Sequence, residues 1–230
     1  MTVGIAIFVK TPGLSAVKTR LAAGLGEAEA VLWYLEAAAA VTGVVQSVAA
    51  AADAVAYYAV AEDAPAARNR WQRLPCILQG DGGLGERMSR VHAELVRRHG
   101  AGLLLGADLP QLDPDHVRAA CDWLDDPAPR IAWGPSADGG FWLFGANRPA
   151  DVARWTAVDY GRADTGGRFR EVMHDLGAWR TWPVRHDVDQ LRDLAPALRE
   201  LRALKSPTGD QRRLAASMAW RILGALGGHD

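Results

Sequence analysis

Short apolar runs of strand character, each separated from the next by a stretch of helical spacing or a turn, constrain this chain more than any other feature of its sequence. The runs fall at Val3 to Val9, Ala54 to Ala59, Cys76 to Leu78, Leu103 to Leu105, Arg130 to Trp133 and Phe141 to Phe144. Between Glu27 and Val48, the residues Val31, Leu32, Leu35, Ala38, Ala39, Thr42 and Val45 recur close to the 3.6-residue period of an amphipathic helix. Leu84, Met88, Val91 and Leu95 form a second such stripe. Asp113 before Pro114 is a helix N-cap with proline at the first helical position, launching a helix through Val117 to Leu124. Strands alternating with helices predict an α/β fold, Rossmann-like, with a mostly parallel sheet covered by helices on both faces. Such sheets bind ligands beyond the carboxyl ends of their strands.

After Gly145 the alternation weakens. The apolar segment near Trp179 to Val184 and a helix through Leu191, Leu194, Leu198 and Leu201 read as an extension of the same sheet, so residues 1–230 are expected to form a single domain. Thr208 and Gln211 have capping-box spacing ahead of an added C-terminal helix at about 208–226. Its stripe Leu214, Met218, Ile222, Leu226 would pack on the body or on another subunit, which leaves a homo-oligomer open. A net charge of -1 supplies no broad cationic field, so any phosphate contact must come from a few placed residues, and nucleic acid is not an expected partner. Cys76 and Cys121 lack CxxC spacing and are expected to be small core residues, consistent with a cytoplasmic location. Met1 to Val9 has no basic leader and reads as a buried first strand. No apolar run approaches the roughly 20 residues of a membrane span, so no membrane partner is expected.

The loop after the first strand, Lys10 to Leu21, places proline and glycine breakers ahead of Lys18, Thr19 and Arg20. A phosphate chain suits this arrangement. Lysine supplies a point charge and arginine a two-pronged donor, while backbone N–H groups at a helix start attract anions. Lys10, Gly13, Lys18 and Arg20 are therefore nucleotide-binding candidates; the alternative is a solvated cationic loop. It is not a Walker A loop, because Val17 stands where that motif needs glycine before its lysine.

Asp108 follows Leu103-Leu104-Leu105-Gly106-Ala107, just past a buried strand. It could take one Mg²⁺ position beside phosphate oxygens, or cap the next turn through its own backbone. In Asp187-Val188-Asp189 two carboxylates two residues apart point the same way, so one metal could see either or both. Two glycine-rich stretches also follow strands. In Gln79-Gly80-Asp81-Gly82-Gly83-Leu84-Gly85, glycine permits close backbone approach to a base or sugar. In Asp138-Gly139-Gly140-Phe141, aspartate can accept from hydroxyls and Phe141 or Trp142 can stack on a ring. Asp-Gly-Gly is equally an ordinary hairpin turn, and Trp142 suits the core better than a ligand. His92, His99 and His116 lie on expected helices without metal-like spacing.

Taken in order, Phe8-Val9-Lys10-Thr11-Pro12-Gly13 with Val17 to Leu21, Leu84-Gly85-Glu86-Arg87-Met88, Gly106 with Asp108 and Pro110, Asp138-Gly139-Gly140, and Asp187-Val188-Asp189 with Asp193-Leu194 resemble a bacterial family of glycosyltransferase-A-type proteins. These are nucleotide-diphospho-sugar transferase-like domains of DUF type, often named arsenosugar-biosynthesis glycosyltransferases. The Lys-x-Arg-Leu element is also similar to the phosphate loop of 2-phospho-lactate guanylyltransferases and, more loosely, of molybdenum-cofactor nucleotidyltransferases. The resemblance implies the nucleotide-diphospho-sugar transferase fold and Mg²⁺ or Mn²⁺ held by Asp108 and Asp189. It further implies catalytic roles for Lys18, Arg20 and Asp108, phosphates gripped by Lys18 and Arg20, and the Gln79 to Glu86 loop near base and ribose. Its partners would be a nucleotide or nucleotide-sugar donor and a small-molecule acceptor, the latter near Asp138 to Phe141. The chain departs from the family pattern at Ser15, Ala107, Leu109, Phe141 and Gln190. Transfer of a nucleotidyl group from a triphosphate to a phosphorylated acceptor and glycosyl transfer from a nucleotide sugar both fit; a regulatory or scaffold protein that binds nucleotide without turnover is the alternative.

Overall fold

The structure, a computed structural model, describes residues 2–227. Met1 lies outside them. Among the described residues one sheet contains β1 (Val3–Val9), β2 (Ala54–Val60), β3 (Cys76–Leu78), β4 (Ala101–Gly106), β5 (Arg130–Pro135), β6 (Phe141–Ala146) and β7 (Ala178–Thr181), in the order β3-β2-β1-β4-β6-β5-β7. β1 pairs in parallel with β2 and β4, β2 with β3, and β5 with β7, whereas β6 runs antiparallel to both its neighbours. The sheet is thus mostly parallel, as the alternation of runs predicts. β4 starts two residues before the apolar run read from sequence. Gly102 hides its strand character because α4 (Leu84–His99) packs closely there: a side chain at Gly102 would come within 3.0 Å of Leu95 and 3.1 Å of His92.

Successive residues of β1 feed opposite faces, as the two-residue strand period requires. Val3, Ile5, Ile7 and Val9 join a core under α2 (Glu27–Ala51), while Ala6 and Phe8 join a second core under α4. The first core also takes Leu21 of α1 (Thr19–Leu25), Ala67 of α3 (Pro65–Arg70) and Val117 and Leu124 of α5 (Pro114–Leu124). The second is filled by Trp155 of α6 (Val152–Thr156) and Phe169 and Met173 of α7 (Thr165–Met173), with the Phe169 ring stacked on Trp133 and the Trp155 ring edge-on to Phe144. The Asp113 cap stands as read, its carboxylate accepting from the Asp115 N–H at 2.9 Å.

Two expectations need correction. Cys121 is buried on α5, but Cys76 is exposed, because β3 is a short edge strand whose outer residues have no layer above them. The sequence reading found no stretch resembling a membrane span, yet α2 is long and apolar enough to be one. Its polar interruptions, among them Glu27, Glu29, Glu36 and Gln46, break the run in sequence without making the helix hydrophilic. More than half of its most apolar window, 56%, is buried against the sheet, α5 and the C-terminal helix, which accounts for its composition as that of a core helix.

A 3₁₀ turn at Leu191–Asp193 leads into α8 (Leu194–Arg202), and α9 (Gly209–Gly227) closes the described chain. The capping box forms: Thr208 N–H donates to Gln211 Oε1 at 2.9 Å and Gln211 N–H to the Thr208 hydroxyl at 3.3 Å. Leu214 and Met218 are buried on the body and Ile222 is partly so; the side chain of Leu226 lies outside the described residues. Arg221 pins the helix to α2 through Glu29 at 2.9 Å and Glu36 at 2.7 Å. Gln211 has a second task. Its buried amide donates to the Pro110 and Leu112 carbonyls at 2.9 and 2.8 Å, fixing the loop after β4.

Gln211→Ala should strand those two buried carbonyls, at about 1–3 kcal/mol, and lower Tm by roughly 2–10 °C. An unchanged Tm in a thermal melt would show that the loop does not depend on α9.

Candidate active site

β1 sends the chain to β2 on one side while β4 lies on the other, so the strand order reverses between β1 and β4. Open parallel sheets form ligand crevices at such a point, beyond the carboxyl ends of the strands. A cavity of about 410 Å³ opens there, between Phe8, Val9 and Lys10 at the end of β1 and Gly106, Ala107 and Asp108 at the end of β4. Lys18, Arg20 and Asp189 complete its polar wall.

Three distant segments meet in this cavity through one side chain. The Lys18 ammonium donates to Asp108 Oδ2 at 2.8 Å and to Asp189 Oδ1 at 3.0 Å, and lies 5.7 Å from the centre of the Trp33 ring. Its side chain is only 7% exposed. Burial alone would depress the ammonium pKa, but the charges and hydrogen bonds of the two carboxylates outweigh it and hold the pKa above the ordinary lysine value. Burial likewise pushes Asp108 up, and Lys18 overcomes it, leaving the carboxyl below its usual range. Lys18 also has φ +46°, and among the described residues it alone combines a side chain with a left-handed backbone. That conformation costs a residue with a Cβ on the order of 1–2 kcal/mol and persists only where the surroundings impose it. Arg20 is more open, with its guanidinium 3.5 Å from Asp189 Oδ2.

The loop before Lys18 is braced from beneath. The Tyr34 hydroxyl accepts from Lys10 N–H at 2.9 Å, the Glu62 carboxylate accepts from Thr11 N–H at 3.0 Å, and Trp71 Nε1–H donates to the Thr11 hydroxyl at 3.1 Å. Gly13, at φ +87°, makes the turn closed by Leu14 and Ser15 N–H groups on the Thr11 carbonyl and faces away from the cavity. None of the three braces was legible in sequence, because Tyr34 and Trp71 look like ordinary core residues and Glu62 like a surface acid.

Beside the first cavity, and sharing Phe8, Leu84 and Gly106 with it, lies a second of about 220 Å³. Asp138, Gly140 and Phe141 line it, as expected of an acceptor site, and so does Asp187. Burial, with the charges of Asp108 and Asp138, pushes the Asp187 carboxyl up to about 7 against the opposing hydrogen bond of Ser136. Asp193, the third acid of that segment, is a cap: its Oδ2 accepts from the Asp189 and Gln190 N–H groups at 3.0 and 2.8 Å.

Several candidates also make structural contacts. Asp138-Gly139-Gly140 is the hairpin turn between β5 and β6, with Asp138 Oδ1 accepting from Gly140 N–H at 2.9 Å. Gly139, at φ +90°, packs on the Ala163 carbonyl, where a Cβ would come within 1.8 Å. Trp142 is buried and donates to the Pro183 carbonyl at 3.1 Å, yet its ring also borders the second cavity. Of the Gln79 to Gly85 loop, Gln79 reaches the first cavity, but its amide is spent on the Val9 and Ala59 carbonyls. Gly80, Asp81 and Gly82 stand outside it, tied by Arg90 to the Gln79 and Asp81 carbonyls and by Arg87 to that of Gly82. Gly83 caps α4, and Gly85 lets that helix touch the Trp155 carbonyl, 2.5 Å from where a Cβ would sit. His92 is buried in the core, where desolvation holds its pKa down to about 4.

The fold matches solved structures along nearly its whole length. A protein of Desulfovibrio desulfuricans, provisionally described as a nucleotide-diphospho-sugar transferase, superposes with a TM-score of 0.81 at 24% identity, covering 98% of this chain and 99% of that one. CMP:2-keto-3-deoxy-manno-octonic acid synthetase in complex with CTP superposes at 0.54 with 14% identity, covering 96% and 99%. A cytidylyltransferase of Leptospira borgpetersenii gives 0.50 with 11% identity, covering 100% and 98%. At these identities the likeness establishes the fold class read from sequence. No curated protein matches the chain by sequence. Residues 40–162, more than half of the chain, match the family model described as an uncharacterized protein conserved in bacteria, and the chain belongs to that family, DUF2064.

Proposed function

We propose that this protein is a divalent-metal-dependent transferase acting on a nucleotide-activated donor, with the donor's phosphates in the first cavity and the acceptor or transferred group in the second. The observation that carries this reading is the convergence of Asp108 and Asp189 on one ammonium at the switch point of the sheet. Two carboxylates whose oxygens already approach a single cation fit a hard metal ion, since Mg²⁺ is commonly held by one or two carboxylates plus substrate phosphates. Asp108 and Asp189 would hold it. When bound, such an ion offsets the charge of the phosphates and of the leaving group.

The chain's own residues then have definite tasks. Lys18, with its ammonium 5.7 Å from the centre of the Trp33 ring, is placed to leave the carboxylates for phosphate oxygens, and Arg20 stands at the open side to add a second cationic contact. Tyr34, Glu62 and Trp71 fix the backbone of the loop so that binding orders little additional chain. Phe8, Leu84 and Gly106 border both cavities, so donor and acceptor groups bound in them would lie side by side. The neighbouring folds described as a synthetase bound to CTP and a cytidylyltransferase support a nucleotide donor.

Replacing Lys18 by Met should weaken binding of the preferred nucleotide by about 10- to 150-fold, the loss of one charge-assisted contact of 1.5–3 kcal/mol, with the fold kept. Titration calorimetry checks this; equal affinity would show that Lys18 serves the two carboxylates alone. For the metal, Asp108→Asn and Asp189→Asn should each abolish most Mg²⁺-dependent pyrophosphate or nucleoside diphosphate release, with the double variant little worse than either single one. Additive losses, or an unaltered Mg²⁺ dependence in Asp108→Asn, would overturn the assignment of one shared ion.

A further inference from the structure

The loop after β4 carries Asp108, and the segment after β7 carries Asp189. Apolar side chains hold each of them to the first core, Leu109 and Leu112 in the loop and Val188 in the segment. Such packing has no direction, so by itself it leaves the distance between the two carboxylates unset. A hydrogen bond does have direction. Among the described residues, one hydrogen bond joins residues 107–112 to residues 186–190 without passing through Lys18: Gln111 Nε2–H donates to the His186 carbonyl at 2.6 Å. Gln111 is fully buried. It stands three residues past Asp108, and His186 stands three residues before Asp189. The bond therefore closes a ring, with Asp108, Lys18 and Asp189 at the cavity and Gln111 and His186 away from it.

We propose that Gln111 is a positioning residue for the metal, holding Asp108 and Asp189 at the separation at which one ion can bind both. The inference rests on the metal reading of the first cavity. The base of the side chain is itself fixed, because Gln211 of α9 holds the carbonyls on either side of it, those of Pro110 and Leu112. Its Oε1 is buried without a partner, so the hydrogen bonding of the amide is spent on His186. A bond made beside an acceptor left unpaired adds little to stability, and what the amide supplies is a fixed distance. While Lys18 lies between the carboxylates it also holds them together. Once the ammonium turns to a phosphate, their mutual repulsion is opposed by the protein frame, in which Gln111 is the direct link. Gln111 touches neither ion nor substrate and acts through the two stretches of backbone.

The test is a titration of the whole chain with Mn²⁺ alone, the free ion being counted by electron paramagnetic resonance, so that neither nucleotide nor turnover enters the readout. Gln111→Met keeps the length of the side chain and removes the donor, whereas Gln111→Asn keeps the amide but is too short to reach His186; either suffices if the other does not fold. Each should bind Mn²⁺ about 10- to 100-fold more weakly than the wild type, the loss expected when a partner that orients metal ligands is removed. Val91→Ala, a cavity variant in the core on the other face of the sheet, should lower Tm and leave the Mn²⁺ affinity unchanged. Unchanged affinity in the glutamine variants overturns the inference, and so does an equal loss in Val91→Ala, which would mark general loosening. Absence of Mn²⁺ binding by the wild type, or binding that Asp108→Asn and Asp189→Asn both leave intact, overturns the metal reading and this inference together.

Discussion

The ammonium of Lys18 links three segments that lie far apart in the chain. Asp108 is 90 residues away in sequence and Asp189 is 171 away, and each carries a negative charge at the edge of a cavity. Without a cation between them, two carboxylates so placed would repel. Everything around the contact serves to hold it. β1 and β4 are neighbours, so their ends bring Lys18 and Asp108 together; β7 and the 3₁₀ turn deliver Asp189, whose N–H is capped by Asp193. The left-handed backbone at Lys18 is the local cost of aiming a lysine back into the crevice from the start of a helix.

On the proposed function, the two carboxylates would exchange one cationic partner for another. Lysine satisfies the carboxylates when no ligand is present. A metal ion with its phosphates would satisfy both carboxylates and lysine at once, because the phosphates accept what the carboxylates release. On this account the braces on the loop, from Tyr34, Glu62 and Trp71, limit the exchange to the end of one side chain, and Gln211 does the same for the loop carrying Asp108.

The features legible in the sequence are those that repeat or punctuate. The strand runs, the helical stripes, the Asp113 and Thr208 caps and the parallel character of the sheet follow from periodicity and local hydrogen bonding, which act over a few residues. Lys18, Arg20 and Asp108 were legible as neighbours because residues just past strand ends share one edge of such a sheet, whereas Asp189 joined them through the family resemblance. The glycine-rich loop was not, because glycine serves both ligand approach and tight packing. At Gly85 and Gly139 the decisive neighbours, the carbonyls of Trp155 and Ala163, lie elsewhere in the chain. Asp187 is the reverse case. Its spacing from Asp189 was visible, but its separate place beside the second cavity depends on how β7 leads the chain past Ser136, where Arg185 bridges to that strand end.

The most direct test of the shared-cation account is a crystal grown with Mn²⁺ and a nucleoside triphosphate or nucleotide sugar, measured at the manganese edge. The account predicts one anomalous peak coordinated by Asp108 and Asp189, with the Lys18 ammonium moved from the carboxylates onto a phosphate oxygen. A nucleotide bound with its phosphates elsewhere, or a manganese ion away from both carboxylates while Lys18 stays between them, would contradict it.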